Sequence, residues 1–140
     1  LVLVNGHFGN SAALEQAARA LIMQHKLPTM ILNYPGLEQA AAAVCESTPA
    51  GPGFYHADEV ETSVVLALRP DAVQMEHAQP EYPQFPPTFG ITPLRLDTFN
   101  QSGVFGDPRL ATAAKGEQLL QLLTASALPV IKAFLDTQRG

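Results

Sequence analysis

The sequence predicts an α/β fold in which helices cover a mainly parallel sheet. Residues 1–47 alternate between two apolar runs, "LVLVN" and "LPTMILNY", and two segments whose apolar residues recur at helical spacing. Such an alternation of strand and helix is typical of a parallel sheet with helices packed on its faces. The 140 residues, 46% of them hydrophobic, are enough for one domain with a core of its own.

The elements of the first half follow from apolar spacing and from the residues that break it. The first strand is an uninterrupted apolar run, which is typical of a strand buried on both faces. The predicted elements are a strand at residues 1–5, a helix from Asn10 or Ser11 to about His25, a buried strand at 27–34 and a helix at 37–47.

The second half is predicted to be helical at both ends and irregular between them. The pattern of residues 57–70 predicts a helix that ends at Pro70. Residues 110–137 are predicted to form a last helix, which Pro129 kinks or splits. Five prolines exclude a long helix from residues 76–97. Such a long irregular segment is suited to an oligomer contact, although it could equally wrap its own domain.

Composition and charge exclude several classes of partner. The net charge is −5 with only 8 lysines and arginines, which argues against nucleic acid. We see no apolar run long enough to span a bilayer and expect no membrane partner. The single cysteine, Cys45, excludes an internal disulfide and is interpreted as a small, inert core residue. We expect the cytoplasm as the default location.

His7 follows the first predicted strand by two residues, where open parallel sheets bind their ligands. Gly6 and Gly9 let the loop turn tightly, and Asn5 and Asn10 can tie it to itself or cap the next helix. Three interpretations remain open: a hydrogen-bonded turn residue, part of a phosphate-binding loop, or a metal ligand. The glycine spacing argues against the second, and the third requires further donors.

Glu61 is predicted to lie on or beside the apolar face of its helix. A carboxylate there is costly unless it is paired or bound to a cation, although alone it is more simply an edge-of-core residue. Asp58 and Glu59 need no such explanation, because negative charge is favourable in the first turn of a helix. His56 precedes this helix and could act as a general acid or base, or be an exposed loop histidine. Together, His7, His56 and Glu61 form a candidate site.

Three motifs carry a resemblance: "VNGHFGN" (4–10), "HADEVETS" (56–63) and "GVFGDPRLATAAKGE" (103–117). In this order they resemble the creatininase, or creatinine amidohydrolase, family, and they match about the second half of a typical member. The resemblance implies a three-layer α/β/α sandwich and two divalent metal ions, zinc or manganese. It also implies hydrolysis of a small, sometimes cyclic, non-peptide amide by a metal-bound hydroxide.

The resemblance also implies roles for individual residues. His7 matches the metal-binding histidine of the first motif, and Glu61 matches the metal-binding glutamate of the second. His56 matches the histidine that passes a proton to the leaving nitrogen, and Phe8 stands where it could line the substrate pocket. The third motif implies no direct role, and Asp107 is expected to start a helix that supports the site from outside.

Departures from the family pattern concern the substrate and the metals. Creatininase has a glutamate where this chain has Gly9, and it uses tryptophans, which this chain lacks, so creatinine is not the expected substrate. Asp58 stands where many members have glycine. The Glu-x-His motif and the aspartate that supply the family's other metal ligands are absent, and His7 and Glu61 alone cannot hold two metals.

Three explanations of the incomplete ligand set remain: a piece of a longer protein, a partner chain that carries the rest, or an inactive chain. We expect weak metal binding and no turnover from the 140-residue chain alone. The complete protein is expected to form homo-oligomers, hexamers by resemblance, and to act on a small-molecule amide. The alternative is a non-catalytic binding or scaffolding module with the same fold and no metal.

Overall fold

A pair of parallel strands in a chain whose other elements are helical confirms the predicted α/β fold class. The structure is a computed structural model that describes residues 1–51 and 53–138. The chain divides into two compact units. The first contains Leu1–Leu37 and the described residues from Leu122 onward, and the second contains Glu38–Gln121. The prediction of a single domain remains a prediction.

The first unit is built on strands β1 (Val2–Asn5) and β2 (Met30–Asn33), which pair in parallel with Asn5 opposite Asn33. Helix α1 (Ser11–His25) connects them and contacts β2, with Ala18 buried. The helix ends where Lys26 turns into the left-handed region at φ 52°. The strand–helix–strand order was therefore predicted correctly, and α1 begins and ends as predicted.

The prediction that both strands are buried was wrong. Val4 is 77% exposed and Leu1 is 49% exposed, while Asn5 is the buried residue of β1. Within the described residues β1 pairs with β2 alone, so one of its edges has no neighbouring strand. The second strand is also shorter than predicted, and of its residues Leu32 is buried.

The carboxyl ends of the two strands are joined by a side-chain network around Asn5. Its Nδ2 donates to Asn33 Oδ1 at 2.8 Å, and its Oδ1 accepts from the His7 amide at 3.1 Å and from Asn10 Nδ2 at 3.5 Å. The Tyr34 hydroxyl donates to the carbonyl of Gly6 at 3.1 Å. Asn5 is only 4% exposed, so it fixes the loop that carries His7 from inside the unit.

The second unit contains most of helix α2 (Leu37–Val44), all of α3 (Glu59–Leu68) and the beginning of α4 (Ala113–Asp136). Helix α3 begins two residues later than predicted, because Asp58 has an extended backbone and its side chain accepts from the Glu61 amide as the N-cap. Helix α4 begins later than predicted, because residues Pro108–Leu110 form a separate 3-10 turn capped by Asp107.

Helix α4 runs unbroken through Pro129, so the predicted split is wrong, and the alternative prediction of a kink remains a prediction. It is also long and apolar enough, by length and composition, to cross a membrane, which corrects the expectation that no segment could. Core helices of soluble proteins pass the same test. The length of α4 therefore assigns no membrane role.

Residues 76–97, the proline-rich segment, form no α-helix and fold against their own unit. Its Phe85 and Phe89 rings each lie 5.5 Å, centroid to centroid, from the ring of Phe54. Phe54 in turn lies 4.9 Å from the fully buried Phe105. This aromatic cluster shows that residues 76–97 wrap their own unit, and the expected oligomer contact remains a prediction.

Gly116 lets α4 approach α3 closely. A Cβ built at Gly116 would lie 1.9 Å from the Ser63 carbonyl oxygen and 2.8 Å from Ala67 Cβ. Ser63 is fully buried, and its hydroxyl accepts from the Thr112 amide at 3.2 Å just before α4 begins. No side chain fits between these two helices at this position, so glycine is required by packing rather than by backbone conformation.

The substitution Gly116→Ala tests this contact. Helix propensity alone favours alanine by about 1 kcal/mol, but the clash with backbone is expected to lower the free energy of unfolding by about 1–3 kcal/mol. Chemical denaturation measures the difference, and Gln118→Ala on the exposed side of α4 is the matched control. Equal or greater stability of Gly116→Ala would contradict the close approach.

The substitution Asn5→Ala tests the network at the strand ends. It leaves the Asn33 side chain and the His7 amide without the partner that the buried Asn5 supplies, at a cost of about 1–3 kcal/mol. Chemical denaturation should show this loss, and NMR should show faster hydrogen exchange at the His7 amide. The exposed Asn10→Ala variant should have nearly normal stability, and an equal loss there would show that the network does not centre on Asn5.

Candidate functional site

His7 lies in the loop between β1 and α1 of the first unit, with an extended backbone and an exposed side chain. Its amide donates to Asn5, and its carbonyl accepts from the Asn10 amide at 3.0 Å. A Cβ at Gly9 would lie 2.7 Å from His7 Nε2, so glycine leaves the space in which the imidazole lies. The loop therefore fixes the backbone of His7 and presents its ring at the carboxyl end of a strand.

Phe8 is next to this histidine and begins a short 3-10 turn, Phe8–Asn10. Its ring lies 5.3 Å from the His7 ring and is tilted by 48°. The side chain is 49% exposed, which would permit contact with a bound molecule. Its predicted substrate-binding role remains a prediction.

The second unit brings His56 and Glu61 together. His56 Nδ1 lies 3.6 Å from Glu61 Oε2, and the same carboxylate oxygen accepts from the Ala57 amide at 2.7 Å. The two side chains are 28% and 38% exposed, so the pair is partly accessible to solvent. The structure thus brings His56 and Glu61 close together, and their predicted roles remain predictions.

The backbone around His56 is held in an unusual conformation. Ala57 has a φ of 48°, in the left-handed region that non-glycine residues seldom adopt. The His56 carbonyl accepts from the Phe105 amide at 2.9 Å, and its ring lies 5.7 Å from the Phe105 ring. Since such a backbone persists only where surrounding contacts impose it, the third motif supports the site directly through Phe105.

Asp58 and Glu59 were expected to be ordinary charges in the first turn of a helix. That expectation was wrong, because both side chains are buried. Asp58 is 2% exposed, and its side chain accepts from the Glu61 amide at 3.1 Å. Burial, together with the nearby charge of Glu61, raises the pKa of Asp58 to about 6 despite that hydrogen bond. A Cβ at Gly106 would lie 2.9 Å from Asp58 Cβ, so the lack of a side chain at Gly106 leaves space for the Asp58 side chain.

Glu59 forms a buried ion pair that the sequence analysis missed. It is 0% exposed, and its carboxylate accepts from the amides of Glu46 and Ser47 and from Lys115 Nζ. Lys115 Nζ also donates to Glu46 Oε1 at 2.7 Å and to the Leu110 carbonyl at 2.9 Å. The cluster therefore joins the end of α2, the beginning of α3 and the beginning of α4.

In the pair of Glu59 and Lys115, each charge stabilises the charged form of its partner. Burial alone would raise the pKa of Glu59, but the hydrogen bonds from Lys115, Ser47 and Glu46 hold that pKa below its ordinary value. Burial would lower the pKa of Lys115, but the two carboxylates raise it. A sequence signal existed, since a lysine in the first turn of a helix opposes the helix dipole and indicates an anionic partner.

The metal-binding prediction is only partly matched by the donors present. Within residues 1–51 and 53–138, no group of three or more histidine, cysteine, aspartate or glutamate side chains could hold a metal ion. His7 and Glu61 have suitable donor atoms but belong to different units. The described residues therefore do not form a complete metal site by themselves.

Comparison with known proteins gives consistent results. The family model Creatininase, described as creatinine amidohydrolase, matches residues 1–131. Mycofactocin precursor peptide peptidase from Mycobacterium tuberculosis is 33% identical over 142 residues, covering 100% of this chain and 51% of that protein. Creatinine amidohydrolase from Pseudomonas putida is 27% identical over 143 residues, covering 94% of this chain and 54% of that protein. The chain therefore spans about half the length of these relatives.

Solved structures agree with the sequence relatives. A crystal structure of creatinine amidohydrolase (creatininase) matches with a TM-score of 0.71 and 27% identity, covering 94% of this chain and 54% of that one. A Zn-Zn type of a creatininase mutant matches with a TM-score of 0.73 and 25% identity, covering 95% and 55% of the two chains. The family model, the relatives and the shared fold agree, and the chain belongs to the creatininase family.

Proposed function

We propose that this chain carries part of the active site of a hydrolase that cleaves the amide C–N bond of a small substrate. The observation that carries the proposal is the pairing of His56 with Glu61 at the beginning of α3, with 3.6 Å between Nδ1 and Oε2. Membership of the creatininase family supports it, because relatives in that family are named as an amidohydrolase and a peptidase.

His56 is the proposed proton donor to the leaving nitrogen. Hydrolysis adds a hydroxyl group to the carbonyl carbon and a proton to the nitrogen as the C–N bond breaks. An amide nitrogen leaves poorly without that proton, and an imidazole can supply it near neutral pH. Glu61 Oε2 accepts from the Ala57 amide at 2.7 Å and lies 3.6 Å from His56 Nδ1, so the carboxylate is fixed beside the imidazole.

His7 and Glu61 are the proposed divalent-metal ligands. Imidazole and carboxylate suit zinc and manganese, and solved creatininase structures include one named for Mn and one of Zn-Zn type. A bound metal would lower the pKa of a water molecule and so supply a nucleophile. Because the donors present are incomplete, two ions per site and the identity of the metal are proposals that need donors from outside the described residues.

The proposed substrate class is a small amide, and creatinine is not favoured. The chain has no tryptophan and has Gly9 at the position of a creatininase glutamate. The expected restriction to non-peptide bonds is at odds with the relative named as a peptide peptidase, so the proposal includes amide bonds of peptides. Phe8, half exposed beside His7, is the proposed apolar contact for the substrate.

Assembly and location are also proposals. We propose a homo-oligomer, a hexamer by family resemblance, that acts in the cytoplasm. Exposed apolar side chains on the proline-rich segment support an oligomer contact there, with Ile91 80% exposed and Tyr82 50% exposed. The low count of basic residues supports the absence of nucleic acid as a partner.

Substitutions separate the proposed roles. His7→Ala and Glu61→Gln are each expected to weaken Zn²⁺ or Mn²⁺ binding about tenfold or more, measured by titration calorimetry on a version extended at its N-terminal end to the length of its relatives. His56→Ala should leave metal binding unchanged but lower amide hydrolysis about 10²–10⁴-fold. Activity is measured on a version extended at its N-terminal end to the length of its relatives.

The matched control is His77→Ala, which removes an exposed histidine outside the candidate site. It should change neither metal binding nor hydrolysis. Wild-type activity in all three site variants would contradict the assignments. If neither the chain nor its extended version bound metal, the non-catalytic binding module would replace the hydrolase as the better explanation.

A further inference from the structure

We propose that the buried ion pair of Glu59 and Lys115 is the positioning element that fixes His56 and Glu61 relative to each other. The inference rests on the proposed function, because it concerns the arrangement of that candidate site. Neither residue is proposed to touch a reacting atom, so both are positioning residues. Their role is to fix the backbone between the histidine and the carboxylate.

Glu59 lies between the two site residues in the chain and is the first residue of α3. Its side chain points away from solvent, is 0% exposed, and accepts from the Ser47 amide at 2.7 Å and from the Glu46 amide at 3.0 Å. Lys115 Nζ completes this set of donors from α4. The start of α3 is therefore tied to two other parts of the second unit through one carboxylate.

The segment that this carboxylate fixes contains the positive φ of Ala57. The Ala57 amide donates to Glu61 Oε2 at 2.7 Å, which brings the carboxylate back toward His56. A left-handed backbone at alanine is disfavoured, so surrounding contacts must maintain it. On one side the Phe105 amide holds the His56 carbonyl, and on the other Glu59 holds the first turn of α3.

A buried ion pair is weak evidence for stability, because removing two charges from water offsets much of their attraction. Lys115 also lies in the first turn of α4, where the helix dipole disfavours a cation. An apolar pair could fill the same space without these costs, but it could not accept from the amides of Glu46 and Ser47. The charged pair therefore provides fixed geometry, which is what a histidine–carboxylate site requires.

Hydrogen exchange at the Ala57 amide reports this geometry directly, because that amide donates to Glu61. In Glu59→Gln we expect the Ala57 amide to exchange at least tenfold faster, as measured by NMR. The amide of Leu119, a fully buried residue of α4, should keep its wild-type rate. Unchanged exchange at Ala57, or the same acceleration at both amides, would overturn the proposal.

Three variants complete the test. Glu46→Gln removes an exposed partner of Lys115 and should leave Ala57 protected. Lys115→Arg keeps the positive charge and should retain most of the protection, whereas Lys115→Gln should lose it. If Glu59→Gln fails to fold, the double variant Glu59→Gln/Lys115→Gln leaves no unpaired buried charge, and its Ala57 amide should still exchange at least tenfold faster.

Calorimetric titration with Zn²⁺ alone separates this inference from the proposed function. In the version extended to the length of its relatives, we expect Glu59→Gln to bind Zn²⁺ about tenfold more weakly than wild type, with Glu61→Gln as the reference for loss of the ligand. Wild-type affinity in Glu61→Gln would reject the proposed metal ligand and leave the exchange result to decide the positioning role. Wild-type affinity in Glu59→Gln alone would overturn that positioning role.

Discussion

The second unit depends on a carboxylate that is removed from solvent and still fully hydrogen bonded. Glu59 begins α3, accepts from two amides that follow α2, and pairs with Lys115 near the start of α4. Three helix ends are therefore fixed by one side chain, and Gly116 lets α4 lie against α3 one residue further along. Unpaired, the same charge would be costly enough to disrupt that arrangement.

In each unit, buried polar groups hold the backbone around the candidate site residues. In the first unit Asn5 accepts from the His7 amide and ties its loop to β2. In the second, the Phe105 amide and the N-cap of α3 hold the backbone between His56 and Glu61. His7 is exposed and His56 and Glu61 are partly exposed, so these side chains remain accessible while buried groups hold the backbone around them. Membership of the creatininase family supports the proposed hydrolytic role.

Apolar periodicity was sufficient to predict the element order and the ends of α1, because local spacing and breakers determine both. It could not predict the exposure of Val4, which depends on which strands lie beside β1. Motif spacing brought His56 and Glu61 together correctly, since both lie at one helix start. It missed the Glu59–Lys115 pair, because 56 residues separate the partners and only tertiary packing shows that Glu59 is buried.

His7 and Glu61 are the proposed metal ligands, and anomalous diffraction at the zinc edge tests these roles most directly. Crystals of the protein, extended to the length of its relatives and grown with Zn²⁺, are expected to show anomalous peaks bonded to the His7 imidazole and to the Glu61 carboxylate. The bond lengths should be about 2.0–2.2 Å. Zinc bound only at other residues, with His7 and Glu61 keeping the hydrogen bonds described above, would contradict the claim.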